Sequence, residues 1–162
     1  MKTLEIIKNK IIDLNKMDHA LKRWRLKEDK IVFTNGCFDL LHRGHIDYLS
    51  KAADLGNRLV VGLNSDQSVK RLNKGDNRPL QDEYSRALIL AGLHFVSTVI
   101  IFDEDTPLKL INFIRPDVLV KGSDYEIHEI VGHKEVKAYG GLVKSIDFLA
   151  GFSTTSIISK MK

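Results

Sequence analysis

Residues 31–45 read IVFTNGCFDLLHRGH and contain the first strand-to-helix unit of the chain. A run rich in Val and Ile predicts a buried strand, and the residues after it lead through a loop into a helix that stops before Gly56. The same succession recurs along the chain. Predicted strands cover residues 31–35, 59–63, 98–102, 118–120 and 142–146, and predicted helices cover 44–55, 83–91 and 107–114, with a last helix starting near Ser153 or Thr154. Residues 121–141 are less regular and are predicted to form a loop with a short helix.

Strands that alternate with helices predict an α/β fold. We expect a parallel, doubly wound sheet of five strands, whose ligand site lies beyond the carboxyl ends of the strands.

The composition is that of one ordinary domain. The chain has 162 residues, of which 43% are hydrophobic, and its 25 Lys and Arg against 21 Asp and Glu give a formal charge of +4. A single Cys excludes an internal disulfide and a multi-Cys zinc site, which suits a reducing compartment. No apolar run approaches the roughly 18 residues of a membrane span. The expected location is cytoplasmic, without a membrane partner.

The excess positive charge lies in residues 1–30, a predicted N-terminal helical extension that holds nine Lys or Arg and five Asp or Glu. Residues 31–162, the predicted main domain, hold sixteen of each, which argues against a nucleic-acid partner. Asp18 is predicted to cap a second helix after a break at residues 15–16. Apolar residues of the extension recur at helical spacing: Leu4, Ile7, Ile11, Leu14, Met17, Leu21 and Trp24. This favours a helical layer packed on the domain, while a dimer-forming stripe and a basic amphipathic surface helix stay open.

His42 and His45 stand where the first strand has ended and the next helix begins. In a first helical turn their side chains would share one face near free backbone N–H groups, and Gly44 leaves room for a ligand. Imidazole donors, free N–H groups and the positive end of a helix dipole together predict a phosphate site. The sequence has neither of the usual glycine-rich phosphate loops, GxGxxG and GxxxxGK[ST]. A structural histidine pair and a metal site that also uses Cys37 or Asp39 stay open.

The histidine stretch resembles the HxGH signature of the nucleotidyltransferase superfamily, which includes the cytidylyltransferases. The longer string TNGCFDLLHRGH is similar to the adenylyltransferase part of ADP-heptose synthases, and the resemblance extends over about residues 31–160. It implies a Rossmann-like fold and an enzyme that joins ATP and D-glycero-β-D-manno-heptose 1-phosphate to give ADP-heptose and pyrophosphate for the lipopolysaccharide core. It also implies Mg²⁺ and a homodimer. Many members carry a sugar kinase for which 162 residues leave no room, so a separate heptose kinase is expected.

The resemblance also implies roles for individual residues. The implied catalytic residues are His42, His45, Arg71 and Lys74, and those for pyrophosphate or substrate phosphate are Lys70 and Arg78. The implied nucleotide-binding residues are Thr34, Asn35, Gly36, Cys37, Phe38, Gly44, Asp66, Arg86, Lys121, Gly122, Asp124, Ser153, Thr154 and Thr155. Residues 70–79 resemble the basic loop of the family, and the four cations within residues 70–78 could neutralise the leaving group, although such charge runs also occur in solvated surface loops. Arg86 could equally form a structural ion pair.

Three alternative functions stay open. Glycerol-3-phosphate cytidylyltransferases carry an Arg upstream of the glycine that matches Gly151, and residues 146–150 contain none, which weakens that alternative. An FAD synthetase would use the same chemistry on FMN. The third alternative is a nucleotide-binding module without turnover. Against it stand the two histidines, the basic loop and the Ser-Thr-Thr element at 153–155.

Overall fold

The fold is a parallel sheet with helices on both faces. The computed structural model describes residues 2–72, 78–124, 126–152, 154 and 157. Its strands are β1 (Ile31–Gly36), β2 (Arg58–Asn64), β3 (Thr98–Phe102), β4 (Val118–Gly122) and β5 (Leu142–Ile146). They lie in the order β3-β2-β1-β4-β5, and every neighbouring pair is parallel. The predicted α/β, Rossmann-like fold with a doubly wound sheet of five strands is confirmed.

The direction in which strands are added reverses beside β1. The chain adds β2 and β3 on one side of β1 and then crosses over to add β4 and β5 on the other side. In a doubly wound sheet, ligands bind in the crevice at such a reversal, beyond the carboxyl ends of the strands. Here β1 and β4 both end in glycine, at Gly36 and Gly122. The crevice in which a ligand is expected therefore lies above these two glycines.

The connecting helices agree closely with the predicted ones. The helices are α1 (Thr3–Lys8), α2 (Leu14–Leu26), α3 (Arg43–Ala53), α4 (Asp66–Arg71), α5 (Glu83–Gly92), α6 (Leu108–Ile114) and α7 (His133–Ala138), with a short 3₁₀ helix at Ile127–Glu129. The predictions at 44–55, 83–91 and 107–114 match α3, α5 and α6 within two residues at each end. Thr154 and Ile157 are helical, as expected of the last helix. None of the described helices is both long and apolar enough to cross a membrane.

The sequence pattern does not reveal α4. Its six residues are too few to show helical periodicity, yet Ser65 caps it by accepting a hydrogen bond from the amide of Ser68 at 3.0 Å. Lys70 and Arg71 therefore lie in the last turn of a helix, and not in a loop as predicted.

Apolar side chains from alternate strand positions fill a core on each face of the sheet. Phe33 packs on the face covered by α2, α6 and α7, whereas its neighbour Val32 packs on the face covered by α3 and α5. Because both faces are covered there, β1 to β4 each contain a continuous apolar run, whereas the edge strand β5 is largely exposed.

The N-terminal helical layer packs on the domain, and the buried side chains of Met17, Leu21 and Trp24 belong to the core on one face. The predicted cap was wrong, because Asp13 and not Asp18 begins α2 and accepts a hydrogen bond from the Lys16 amide at 2.8 Å.

The break between α1 and α2 comes before the predicted break at residues 15–16. Its reason lies at the edge of the sheet. Ile11 forms a parallel bridge with Val99 of β3, and this pairing needs an extended backbone between α1 and α2. The apolar stripe is consequently not one continuous buried face, since Leu4 and Leu14 are exposed.

Candidate active site

The two predicted histidines lie side by side at the start of α3. His42 is the N-cap residue, and the ring of His45 stacks on it with the centroids 3.8 Å apart. Phe38 packs edge-on against His45 at 5.3 Å. The Nδ1 atoms of both histidines are buried and have no hydrogen-bond partner among the described residues. Buried polar atoms are normally paired, so this arrangement is suited to a ligand that supplies the missing partner.

Both histidines are held in the neutral form. Burial lowers the pKa of His42. Burial, followed by repulsion from His42, lowers the pKa of His45 to about 4. At neutral pH each ring therefore keeps one N–H donor and one acceptor nitrogen. A neutral imidazole can hydrogen-bond a phosphate oxygen without first losing or gaining a proton.

We expect the His45 ring to titrate near pH 4 in an NMR experiment on the free protein, and not near its ordinary value of 6.5. Because the folded-state pKa is depressed, the stability that neutral His45 contributes is present above pH 6.5 and lost as pH falls towards 4. His42→Ala should raise the pKa of His45, since it removes both the covering ring and the like charge. A His45 pKa of 6.5 in the folded wild-type protein would contradict this packing.

Gly44 allows the backbone of α3 to approach the histidines. A Cβ atom at this position would lie 3.1 Å from the His42 ring and 3.2 Å from Cβ of Phe152. Phe38, in the loop before the helix, has a positive φ of 44°, an uncommon conformation for a bulky residue. Such strain is often found at functional sites, and here it places the Phe38 ring against His45.

Two cavities open at the carboxyl ends of β1 and β4. The larger, called here the histidine cavity because His45 lines it, has a volume of about 460 Å³, and His42 lies behind His45 and is not among its lining residues. The predicted residues that line it are Asn35, Gly36, Cys37, Phe38, His45, Arg78, Lys121, Gly122, Asp124 and Thr154. The smaller, called here the side cavity, has a volume of about 200 Å³, with polar residues Asn64, Asp105 and Glu129 and an apolar wall of Leu72, Ile130 and Val131. The end of β1 and Lys121 line both cavities.

Lys121 connects the ends of the two strands that form the crevice. Its Nζ lies 3.1 Å from the backbone oxygen of Asn35 and 3.1 Å from the side-chain oxygen of the same residue. Its ammonium charge is therefore placed at the junction of the histidine cavity and the side cavity.

The comparison with protein families agrees with this geometry. Residues 33–160 match a family model described as cytidylyltransferase-like, which is most of the chain. The chain belongs to the cytidylyltransferase-like family. This confirms the expected membership of the nucleotidyltransferase superfamily, whose signature here is the pair His42 and His45.

Several curated relatives of this family member are bifunctional proteins named HldE. The one from Methylobacillus flagellatus is 52% identical over 153 residues, which are 94% of this chain and 31% of the relative. The one from Campylobacter concisus is 59% identical over 133 residues, covering 82% of this chain and 27% of the relative. The chain thus spans about a third of the length of the curated relatives that it matches.

Solved structures give the same picture. The lipopolysaccharide core biosynthesis protein from Thermoplasma volcanium is 31% identical, with a TM-score of 0.61, and the match covers 75% of this chain and 97% of that one. Pantoate-beta-alanine ligase from Francisella tularensis reaches a TM-score of 0.60 at 16% identity, over 91% of this chain and 75% of that one. The second likeness shows the shared fold alone.

Two of the predicted cations of this cytidylyltransferase-like chain are tied to the loop before the histidines. Arg78 donates to the carboxylate of Asp39 at 2.9 Å, and the amides of Leu80 and Gln81 donate to the same carboxylate at 2.8 and 3.1 Å. Arg78 nevertheless lines the histidine cavity. Asp39 therefore fixes the position of Arg78 relative to the histidines.

Arg86 is the second of these cations, and its side chain is completely buried. Its guanidinium donates to the carbonyl of Cys37 at 2.6 Å, to the carbonyl of Gln81 at 3.1 Å and to the carboxylate of Asp66 at 2.7 Å. Neither Arg86 nor Asp66 lines the histidine cavity, so the structure places both beneath the loop. Their predicted contact with the nucleotide stays a prediction.

Arg71 and Lys70, two further predicted cations, do not line the histidine cavity. Arg71 pairs with Asp105 at 2.7 Å and donates to the backbone oxygen of Asp103, which places it on the side-cavity flank. Lys70 is exposed in the last turn of α4. Lys74 lies outside the described residues, as do Ser153 and Thr155, so their roles stay predictions.

Thr34 is buried under the site. Its hydroxyl oxygen lies 2.7 Å from the hydroxyl oxygen of Tyr48, which is itself a lining residue of the histidine cavity. Burial raises the pKa of the Tyr48 hydroxyl, so it stays protonated. Tyr48 was not among the predicted site residues, although it stands three residues after His45 and therefore on the same face of α3.

Phe148 and Asp39 are two further lining residues that were not predicted to bind the nucleotide. The Phe148 ring lies directly over Gly122, where a Cβ atom would collide with it. No local pattern marks Phe148, because it approaches β4 only through the pairing of β4 with β5. Asp39 could have been predicted as a site residue, because it lies within the string TNGCFDLLHRGH that precedes and includes the histidines.

A metal site built on Cys37 and Asp39 finds no support in the geometry. Among the described residues, no group of three or more His, Cys, Asp or Glu side chains is arranged to hold a metal ion. Both carboxylate oxygens of Asp39 already accept hydrogen bonds.

Proposed function

We propose that this chain is a nucleotidyltransferase domain that joins ATP and D-glycero-β-D-manno-heptose 1-phosphate to give ADP-heptose and pyrophosphate for the lipopolysaccharide core. The observation that supports nucleotidyl transfer most directly is the neutral histidine pair at the start of α3. The Nδ1 atoms of this pair are buried and lack a protein partner among the described residues. Identities of 48–59% to the HldE proteins support the heptose acceptor. The likeness to a lipopolysaccharide core biosynthesis protein points to the same pathway.

The proposed reaction is a direct in-line displacement. A phosphate oxygen of the sugar 1-phosphate attacks the α-phosphorus of ATP, the new P–O bond forms, and the bond to the bridging α–β oxygen breaks. The electron pair of that bond leaves with pyrophosphate. Because the attacking oxygen is already an anion, no general base is needed, and the protein contributes positioning and charge stabilisation.

The described residues can provide these contributions from fixed positions. His42 and His45 would donate N–H groups to phosphate oxygens at the positive end of α3. Lys121 would bring its charge to the junction of the two cavities, where the two phosphates must meet. We assign ATP to the histidine cavity, which has Arg78 and His45, and the sugar to the side cavity, which has neutral and acidic groups.

Mg²⁺ is proposed as the companion of ATP. The described residues offer no carboxylate cluster that could hold the ion by itself. Mg²⁺ commonly keeps its waters and binds through substrate phosphates, so the triphosphate would be its main ligand. When bound, it would neutralise charge on the phosphate oxygens.

Pyrophosphate release over a matrix of nucleotides and acceptors tests the proposal. ATP or CTP would be combined with heptose 1-phosphate, glycerol 3-phosphate or FMN. We expect the highest kcat/KM for ATP with heptose 1-phosphate. A preference for CTP with glycerol 3-phosphate would instead identify a glycerol-3-phosphate cytidylyltransferase. A preference for ATP with FMN would identify an FAD synthetase. Nucleotide binding without pyrophosphate release on any acceptor would favour the non-catalytic module.

The homodimer is a further proposal that rests on the family resemblance, and the cytoplasmic location is one that rests on the reducing compartment that a single Cys suits. Size-exclusion chromatography with light scattering would test the first. A dimer is expected, and a monomer across the concentration range would contradict it.

A further inference from the structure

A basic groove lies at the amino end of the sheet, away from the histidines. It is a depression of about 540 Å³ between the segment before α2, α2 itself, and the starts of β2 and β3. Six residues that carry or can carry positive charge line it: Lys10, Lys16, His19, Arg23, Arg58 and His94. They come from four separate segments of the chain. The groove is therefore a product of the tertiary fold and not the wet face of one helix.

The charges of this basic groove are poorly compensated. No Asp or Glu occurs among the described residues that line it. Arg58 is paired with Asp29 at 2.7 Å, outside the lining, whereas the described part of the chain gives no ion pair to Lys10, Lys16 or Arg23. Like charges gathered around one concave surface raise the local positive potential, which an anion would relieve.

The floor of the groove is partly desolvated. Trp24 is buried beneath it, and the guanidinium of Arg58 lies 5.5 Å from the centre of the Trp24 ring. Lys10 is half-buried and donates to the carbonyl of Leu93 at 3.0 Å, and burial lowers the pKa of its amine. An anion close to this amine would oppose that decrease, because a nearby opposite charge favours the charged form.

We propose that the basic groove binds a small multivalent oxyanion, of the class of di- and triphosphates and phosphorylated metabolites, at a site separate from the histidine cavity. A compact anion suits an open depression whose cationic groups converge from several sides. This assignment also gives a role to the positive charge of residues 1–30, which the transfer reaction does not use.

The fluorescence of Trp24 can test the proposal, because it is the only tryptophan of the chain. The full chain would be titrated with inorganic tripolyphosphate at constant ionic strength. We expect a saturable fluorescence change in the wild-type protein. Lys16→Gln combined with Arg23→Gln should weaken the apparent affinity by about tenfold or more, since hydrogen bonds to charged groups are the strong ones. Both residues are exposed, so the variant should fold normally.

Two controls separate the basic groove from other sites. Lys22→Gln removes an exposed charge of the same helix that pairs with Asp18 and does not line the groove, so its affinity should equal that of the wild type. His45→Ala should also keep the fluorescence change. Loss of the change in His45→Ala would assign the signal to the histidine cavity and overturn the proposal.

Three other outcomes would overturn it as well. They are the absence of saturable binding, equal affinity in the double variant and the wild type, and tighter binding of vesicles rich in anionic lipid than of tripolyphosphate. The last would make the groove a membrane-facing surface and not a small-molecule site.

Discussion

Replacing His45 by alanine should lower kcat by about 100-fold or more, the effect expected when a group that stabilises transition-state charge is removed. The neutral His45 ring is held by its stack on His42 and its edge contact with Phe38. Its donor would bind a phosphate oxygen whose charge and geometry change most in the transition state. The loss should therefore fall on kcat more than on the KM for ATP. Steady-state pyrophosphate release with ATP and heptose 1-phosphate would measure it.

His128→Ala is a matched control for this experiment. His128 is exposed on the 3₁₀ helix and lines neither cavity, so its removal should leave kcat unchanged. His45→Asn keeps an N–H donor at a similar place and should recover part of the lost rate. Turnover at the wild-type level in a correctly folded His45→Ala protein would contradict the proposed role.

The sheet could be predicted from sequence because its signals are local. Strands β1 to β4 each contain an apolar run that is buried on both faces, as Val32 and Phe33 show for β1, and each predicted helix has a break or cap at its ends. The wrong helix cap, in contrast, has a non-local cause. Asp13 and Asp18 are equally good caps by residue type, and the choice between them depends on the bridge from Ile11 to Val99, which pairs distant segments.

The candidate site was predictable to the extent that it is contiguous in sequence. His42, Gly44 and His45 fall within one helical turn, so the pattern alone places them together. Arg86 illustrates the opposite case. Its guanidinium meets groups 49 and 20 positions away, at Cys37 and Asp66, and no spacing rule connects these residues. From the sequence alone, Arg86 could therefore be either a ligand contact or part of a structural ion pair.

Replacing Arg86 by methionine should lower the free energy of unfolding by about 3 kcal/mol, near the lower end of the range for breaking one side of a buried ion pair. Methionine keeps much of the volume but leaves the carbonyls of Cys37 and Gln81 and the carboxylate of Asp66 without their donor. The lower end applies because 29% of the Asp66 side chain is exposed and water can partly replace the guanidinium. Thermal unfolding should show a decrease in Tm of roughly 6 to 12 °C.

A double-mutant cycle makes the test of Arg86 specific. Asp66→Asn combined with Arg86→Met removes both charges, so part of the stability lost in the single variant should return. The exposed Arg23→Met should change the free energy of unfolding by no more than about 0.5 kcal/mol. A fully stable Arg86→Met protein would show that the guanidinium does not support the loop. If the expected loss is found and kcat falls at a temperature where the variant is folded, Arg86 acts by positioning the backbone at Cys37, which lines the histidine cavity.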